Sequence, residues 1–182
     1  MIRRLTTKEL LAESIMELAH TMKIEKITIA NITDNCGVSS RTFYNNFTDK
    51  YDLIQWVFIR HLYETYGKLG VELSWTELMV QLIEVMMQHE TFYRKVFLDT
   101  SAPVGYMDAM VNHSLGLLKS YIHQQAPEMA DDEFLNFQIQ MYLHSASTMT
   151  VKWFLEGQTV PLEIVVRYMV DAMPNQLQEY LT

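Results

Sequence analysis

Apolar residues recur at three- and four-residue spacing along almost the whole chain, and little interrupts them: its 182 residues include only six glycines and four prolines. That periodicity selects helices over strands, which would alternate instead. Thr6 and Glu9 have the spacing of a capping box, and Leu11, Ile15, Leu18 and Met22 then form one stripe. Thr28 caps a short second helix whose apolar face is Ile29, Ile32 and Cys36, and Gly37 ends it where a left-handed backbone is needed. A third short helix follows over roughly residues 40–47, with Phe43 and Phe47 one turn apart. A fourth starts near Asp49 and runs through Leu53, Val57, His61 and Glu64. Ser74 and Glu77 form a second capping box, opening a helix that ends near residue 89. Further helices are expected over 92–98, 104–125 and 132–156. Pro161 starts the last one, which Pro174 must kink or break. The expectation is an all-α chain of about nine helices.

Charge divides the chain. Residues 1–55 carry seven basic and seven acidic side chains, whereas 56–182 carry seven basic and fifteen acidic, so the net charge of −8 belongs wholly to the second part. Two domains are therefore expected, 1–55 and 56–182, facing different partners. One cysteine excludes a disulfide framework and a cysteine-based zinc finger. The start MIRRLTTKEL lacks the apolar stretch of a signal peptide, and no run of about 18 apolar residues could span a membrane. A soluble cytoplasmic protein is the expectation.

Two short helices joined by a glycine-containing turn meet the requirement for a helix-turn-helix. On a helical wheel, Phe43 and Phe47 share one side of the second helix of this pair. Arg41 and Asn45 fall roughly opposite, and Thr42 and Tyr44 lie on the flanks. An outward face of Arg, Thr, Tyr and Asn suits DNA: arginine can bind guanine O6 and N7 in a bidentate pair, and Thr or Asn can meet base edges or phosphate. No acid occurs between Asp34 and Asp49, so this face is locally positive within an acidic chain.

The same segment, TIANITDNCGVSSRTFYNNFTDKYDL, resembles the DNA-binding domain of the TetR/AcrR family of transcription regulators. The resemblance rests on Thr28, Ile29, Ile32, Gly37, Val38, Ser39, Thr42, Phe43, Tyr44, Phe47, Lys50 and Leu53 at their offsets, and covers about the first 55 residues. It implies that Ser40, Arg41, Thr42 and Asn45 reach bases or nearby phosphates and that Tyr44 touches a phosphate through its hydroxyl. It also implies phosphate contacts from Thr28 and from Lys50 with the start of the fourth helix. Arg41 stands where the family often has a small residue, Thr33 replaces a usual alanine, Asn46 a frequent histidine, and Lys23 or Ile24 a common glycine. Arg41-Thr42-Phe43-Tyr44 with Tyr51-Asp52-Leu53 also resembles a branch related to regulators of dihydroxyacetone-kinase operons.

The remainder is acidic and holds ten of the thirteen methionines. Methionine fills ordinary helical cores and is also common at adaptable binding surfaces. The resemblance implies an effector pocket there, with Tyr63, Met86, Tyr93, Met110 and Tyr142 as candidate lining. It also implies a dimer interface on the last two helices, with Phe137, Met141, His144, Val165 and Met169 as candidates. A dimer has a functional reason, since one short recognition helix reads few base pairs and a two-fold pair reads a palindrome. The partners implied are palindromic operator DNA, a small-molecule effector and a second copy of the chain, with no membrane, no metal and no cofactor. The function implied is ligand-responsive transcription regulation, most often repression. The alternative is a regulator, or an activator, controlled by a partner protein docking on the acidic part. Catalysis finds no support: the six histidines lack metal-ligand spacing, and there is no Gly-rich phosphate loop or nucleophile elbow.

Overall fold

A computed structural model of the chain describes residues 5–99, 106–129 and 131–181. Among the described residues there are ten α-helices and no strand: α1 Thr7–Thr21, α2 Ile29–Cys36, α3 Ser40–Tyr44, α4 Lys50–Tyr66, α5 Trp75–Gln88, α6 Glu90–Phe97, α7 Tyr106–Gln125, α8 Glu133–Leu155, α9 Leu162–Asp171 and α10 Asn175–Leu181. The tenth helix arises where Pro174 divides the expected last one, because a proline cannot continue the hydrogen-bond ladder.

The boundaries are local chemistry. The Thr6 and Glu9 box opens α1, and Asp132 caps α8 by accepting from the Leu135 N–H at 2.8 Å. At α5, the Ser74 N–H donates to Glu77 Oε2 at 2.8 Å while the Glu77 N–H donates to Ser74 Oγ at 3.3 Å. Those bonds from Ser74 hold the Glu77 carboxyl below the usual carboxylate range. In the turn between α4 and α5, Gly70 has φ 75° and a Cβ there would lie 2.6 Å from the Tyr121 hydroxyl, so both backbone and space demand glycine.

By contacts the chain forms two units. The first comprises residues 1–60 and 88–104, the second 61–87 and 105–182. The first unit therefore extends beyond residue 55 and takes in α6, a helix from the acidic part of the sequence. Its buried Phe92, Tyr93 and Val96 need an apolar partner, and α6 packs on α1. Leu11, Ile15, Ile24, Ile27, Ile32, Phe43, Leu53 and Ile54 are nearly or fully inaccessible and complete that core.

In the second unit α7 packs on α8 and α10 closes against α8. Trp75 sits at its centre, with Tyr66 edge-on at 6.2 Å and its indole N–H donating to the Tyr142 hydroxyl at 3.2 Å. Burial pushes both tyrosine hydroxyls above their ordinary pKa. No helix among the described residues is long and apolar enough to cross a membrane.

Candidate nucleic-acid interface

The helix-turn-helix is assembled by α1, α2 and α3. Ser14 Oγ on α1 donates to the Ile32 carbonyl at 2.8 Å, and Asn35 Nδ2 on α2 donates to Ser14 Oγ at 3.2 Å and Glu17 Oε2 at 3.0 Å. These side-chain bonds, made around the buried Ile32, set α2 on α1. Gly37 ends α2 at φ 71°, the left-handed conformation that its position in the sequence calls for. The Val38 N–H then returns to the Thr33 carbonyl at 3.0 Å.

Ser39 caps α3 by accepting from the Thr42 N–H. Phe43 and Phe47 anchor the helix from below: both are buried, their ring centroids 5.9 Å apart, and Phe47 meets Trp56 of α4 at 6.0 Å. α3 ends at Tyr44, earlier than periodicity suggests, and Asn46 Nδ2 donates back to the Thr42 carbonyl at 2.8 Å. The anchoring leaves Ser40, Arg41, Tyr44 and Asn45 exposed on one short element. Thr42 is half-buried, its hydroxyl 2.9 Å from that of Ser39. Thr28 is exposed at the start of α2 and forms a reciprocal box with Asn31.

Lys50 departs from the expectation. Its ammonium points inward and donates to the carbonyls of Ile24, Glu25 and Ile27 at 2.8, 3.1 and 3.2 Å, which occupies all three of its donors. Burial lowers its pKa, partly opposed by Asp99, Glu25 and Asp49. The start of α4 is likewise taken: Asp49 Oδ1 accepts the N–H groups of Tyr51 and Asp52, and Asp52 Oδ2 accepts that of Thr48. A phosphate there would displace carboxylates from the positive end of the helix. The first turn of α2 holds no acid. In this geometry Lys50 braces the connector between α1 and α2, a role its place in the sequence does not carry.

The residues expected around an effector are dispersed. Tyr93 lies in the first unit, while Tyr63, Met86 and Tyr142 lie in the second. Tyr63 is exposed on α4, Met86 and Tyr142 are buried, and the side chain of Met110 lies outside the described residues.

The expected dimer residues divide in the second unit: Phe137 and Met141 are exposed on α8, whereas Val165 and Met169 of α9 are buried. Phe134, Phe137 and Met141 on α8 are 64, 57 and 59% exposed, and Met149 continues the stripe. Met141, Tyr142, Trp153, Val165, Tyr168 and Met169 line a groove of about 570 Å³ between α8 and α9. The loop closing its end is held by the Trp153 indole N–H on the Val160 carbonyl at 2.8 Å. His144 is half-buried on α8. Among the described residues no group of three or more His, Cys, Asp or Glu side chains could hold a metal ion.

No family model matches the chain. The solved structure of a dihydroxyacetone kinase operon activator, DhaS, superposes with TM-score 0.68 at 18% identity, over 98% of this chain and 100% of that one. The TetR-family repressor AlkX from Dietzia superposes with TM-score 0.60 at 12% identity, over the full length of both. The chain has the TetR-family fold. In sequence it is similar to the HTH-type dhaKLM operon transcriptional activator DhaS of Lactococcus lactis, 22% identical over 97 residues. That match spans 53% of this chain and about half, 52%, of the curated relative.

Proposed function

We propose that this chain is a homodimeric DNA-binding transcription regulator whose operator affinity is changed by a small molecule taken up in the second unit. The observation that carries the reading is α3: Ser40, Arg41 and Tyr44 stand exposed on a five-residue helix, with Asn45 exposed at its C-cap, fastened from below by Phe43 and Phe47. A short, rigid element presenting a guanidinium, an amide and hydroxyls can enter a major groove, read base edges and hold phosphates. Thr28 at the start of α2 would add a backbone contact. Lys50 serves this reading by bracing the connector between α1 and α2.

A dimer supplies the second half-site. Phe134, Phe137, Met141 and Met149, exposed on α8 with His144 at the margin, offer an apolar surface suited to a second copy, beside the groove floored by Val165 and Met169. Buried polar groups in the second unit are neutral, including Thr65, Ser114, Tyr142 and the Trp75 indole; among the described residues it buries no Asp, Glu, Lys or Arg. An effector entering it would therefore be an uncharged molecule recognised by hydroxyl and indole hydrogen bonds. Such a ligand changes DNA affinity only by preferring one conformation of the protein. Regulation in place of catalysis agrees with the regulators that share the fold.

Repression is the first sign of regulation to test, since a dimer seated on promoter DNA obstructs transcription directly. One observation favours a second reading, an activator: DhaS, similar in fold and in part of its sequence, is an operon activator. Selection of bound sequences from a random duplex pool, followed by transcription from the selected site, tests both. A palindromic consensus with falling transcript supports the repressor, and rising transcript supports the activator. Failure to enrich any sequence overturns the DNA-binding reading.

A further inference from the structure

The geometry points to Lys95 on α6 as a positioning residue for DNA binding, an inference that rests on the DNA-binding reading above. Lys95 Nζ donates to the His20 and Met22 carbonyls, at 3.3 and 3.1 Å, at the end of α1. Those carbonyls belong to the last turn and C-cap of a helix, where the backbone lacks intrahelical partners and favours a cation. Immediately beyond, Lys50 of α4 holds the carbonyls of Ile24, Glu25 and Ile27. Two ammonium groups from sequence-distant helices thus grip residues 20–27, the end of α1 and the connector from which α2 starts.

The circuit closes through Asp99, just after α6. Asp99 accepts from the Tyr51 hydroxyl of α4 at 2.9 Å and interacts electrostatically with Lys50. α6 is therefore tied to the connector by Lys95 and to α4 by Asp99, while α4 is tied to the connector by Lys50. None of these three ties uses α3 itself. They fix the support on which α2 and α3 rest, and thereby the direction in which Arg41 and Asn45 are presented. The sequence on both sides of residues 88–104 belongs to the second unit. A displacement of α6 by its covalent neighbours would pull on the connector through Lys95, without any change in the groups that touch DNA.

The test uses full-length protein and the duplex selected above. Lys95→Ala should weaken operator binding about tenfold, the loss expected for hydrogen bonds to a charged group. The slope of log affinity against log salt should stay at its wild-type value, because Lys95 neutralises no phosphate; a direct contact would lower it by about 0.9. Amide hydrogens of residues 22–28 should exchange faster, and the dimer should persist in sedimentation. Lys95→Arg, which can still donate to the carbonyls, should restore affinity. Tyr51→Phe removes only the hydroxyl on Asp99, and its effect should be non-additive with Lys95→Ala because both act on one circuit.

Unchanged affinity in Lys95→Ala, a reduced salt slope, or no rescue by arginine each overturns the inference. If Lys95→Ala does not fold, Lys95→Arg and Tyr51→Phe decide: wild-type affinity in Tyr51→Phe would sink the circuit. Should wild type bind no duplex at all, the DNA-binding reading fails, whereas faster connector exchange in Lys95→Ala would still establish the brace.

Discussion

Two exposed surfaces have opposite chemistry. α3 and its C-cap present Ser40, Arg41, Tyr44 and Asn45, polar groups raised on two buried phenylalanines. α8 presents Phe134, Phe137, Met141 and Met149, apolar side chains that water leaves unpartnered. On the proposed reading, the first offers its donors and acceptors to a polyanion with patterned edges, in a binding that would depend on salt. The second gains by losing water, and on the proposed reading its occupant is a second copy of the chain. Exposure alone therefore says little; what an exposed group would gain on being covered says which partner it awaits.

The largest expected effect lies beneath the polar surface. Phe43→Ala should cost about 3–5 kcal/mol in thermal or denaturant unfolding, since a fully buried ring leaves a cavity. A loss below about 1 kcal/mol would show that α3 is not anchored as described.

On the apolar surface, Phe137→Glu should weaken dimerisation by about 3 kcal/mol or more, because an unpaired carboxylate would be buried. Sedimentation velocity across a concentration series reads this, and an undisturbed dimer would remove α8 from the interface. Arg41→Ala should lose about 1–3 kcal/mol of operator affinity and relax discrimination at its base pair, measured on single-base operator variants. Equal affinity for every variant, at the wild-type level, would remove Arg41 from base reading.

Lys50 sharpens the comparison, because it is a cation of the first unit that faces its own backbone. Lys50→Met should lower stability by about 1–3 kcal/mol, the loss expected when buried carbonyls are deprived of a charged donor. Its salt slope should remain that of wild type, and a slope reduced by about 0.9 would return Lys50 to the phosphates. The smallest effect belongs to the loop beside the groove. Gln158 adopts φ 56°, and Gln158→Gly should raise stability by about 0.5–1 kcal/mol in thermal unfolding by removing left-handed strain. A destabilised variant would mean that the Gln158 side chain contributes more than the strain costs.

Much of this molecule was legible in the sequence because it is local. Thr6, Thr28, Ser74 and Asp132 cap helices through bonds within four residues, and Gly37 takes the conformation its position requires. Phe43 and Phe47 share a buried face because helical geometry puts residues four apart on one side. The tenth helix follows from Pro174. The start of α4 was less legible. Asp49 and Asp52 are near in sequence, but a carboxylate beside a lysine reads equally as a cap or as a solvated neighbour.

The effector candidates show a further limit. Tyr63, Met86, Tyr93 and Tyr142 share a composition compatible with a pocket, yet one is exposed and another belongs to a different unit. Periodicity identifies the side of a helix that is covered and not what covers it.

By itself, then, the sequence determined the all-α class, most helix ends, the helix-turn-helix and the apolar stripe of α8, all consequences of backbone geometry and neighbours a few residues apart. Tertiary structure decided what no spacing encodes. It turned Lys50 inward onto carbonyls 23 to 26 residues away, drew α6 into the unit that carries α3, and opened a groove between α8 and α9. A long charged side chain can reach solvent, phosphate or a backbone acceptor. Only the positions of distant chain segments determine which of these is within 3 Å.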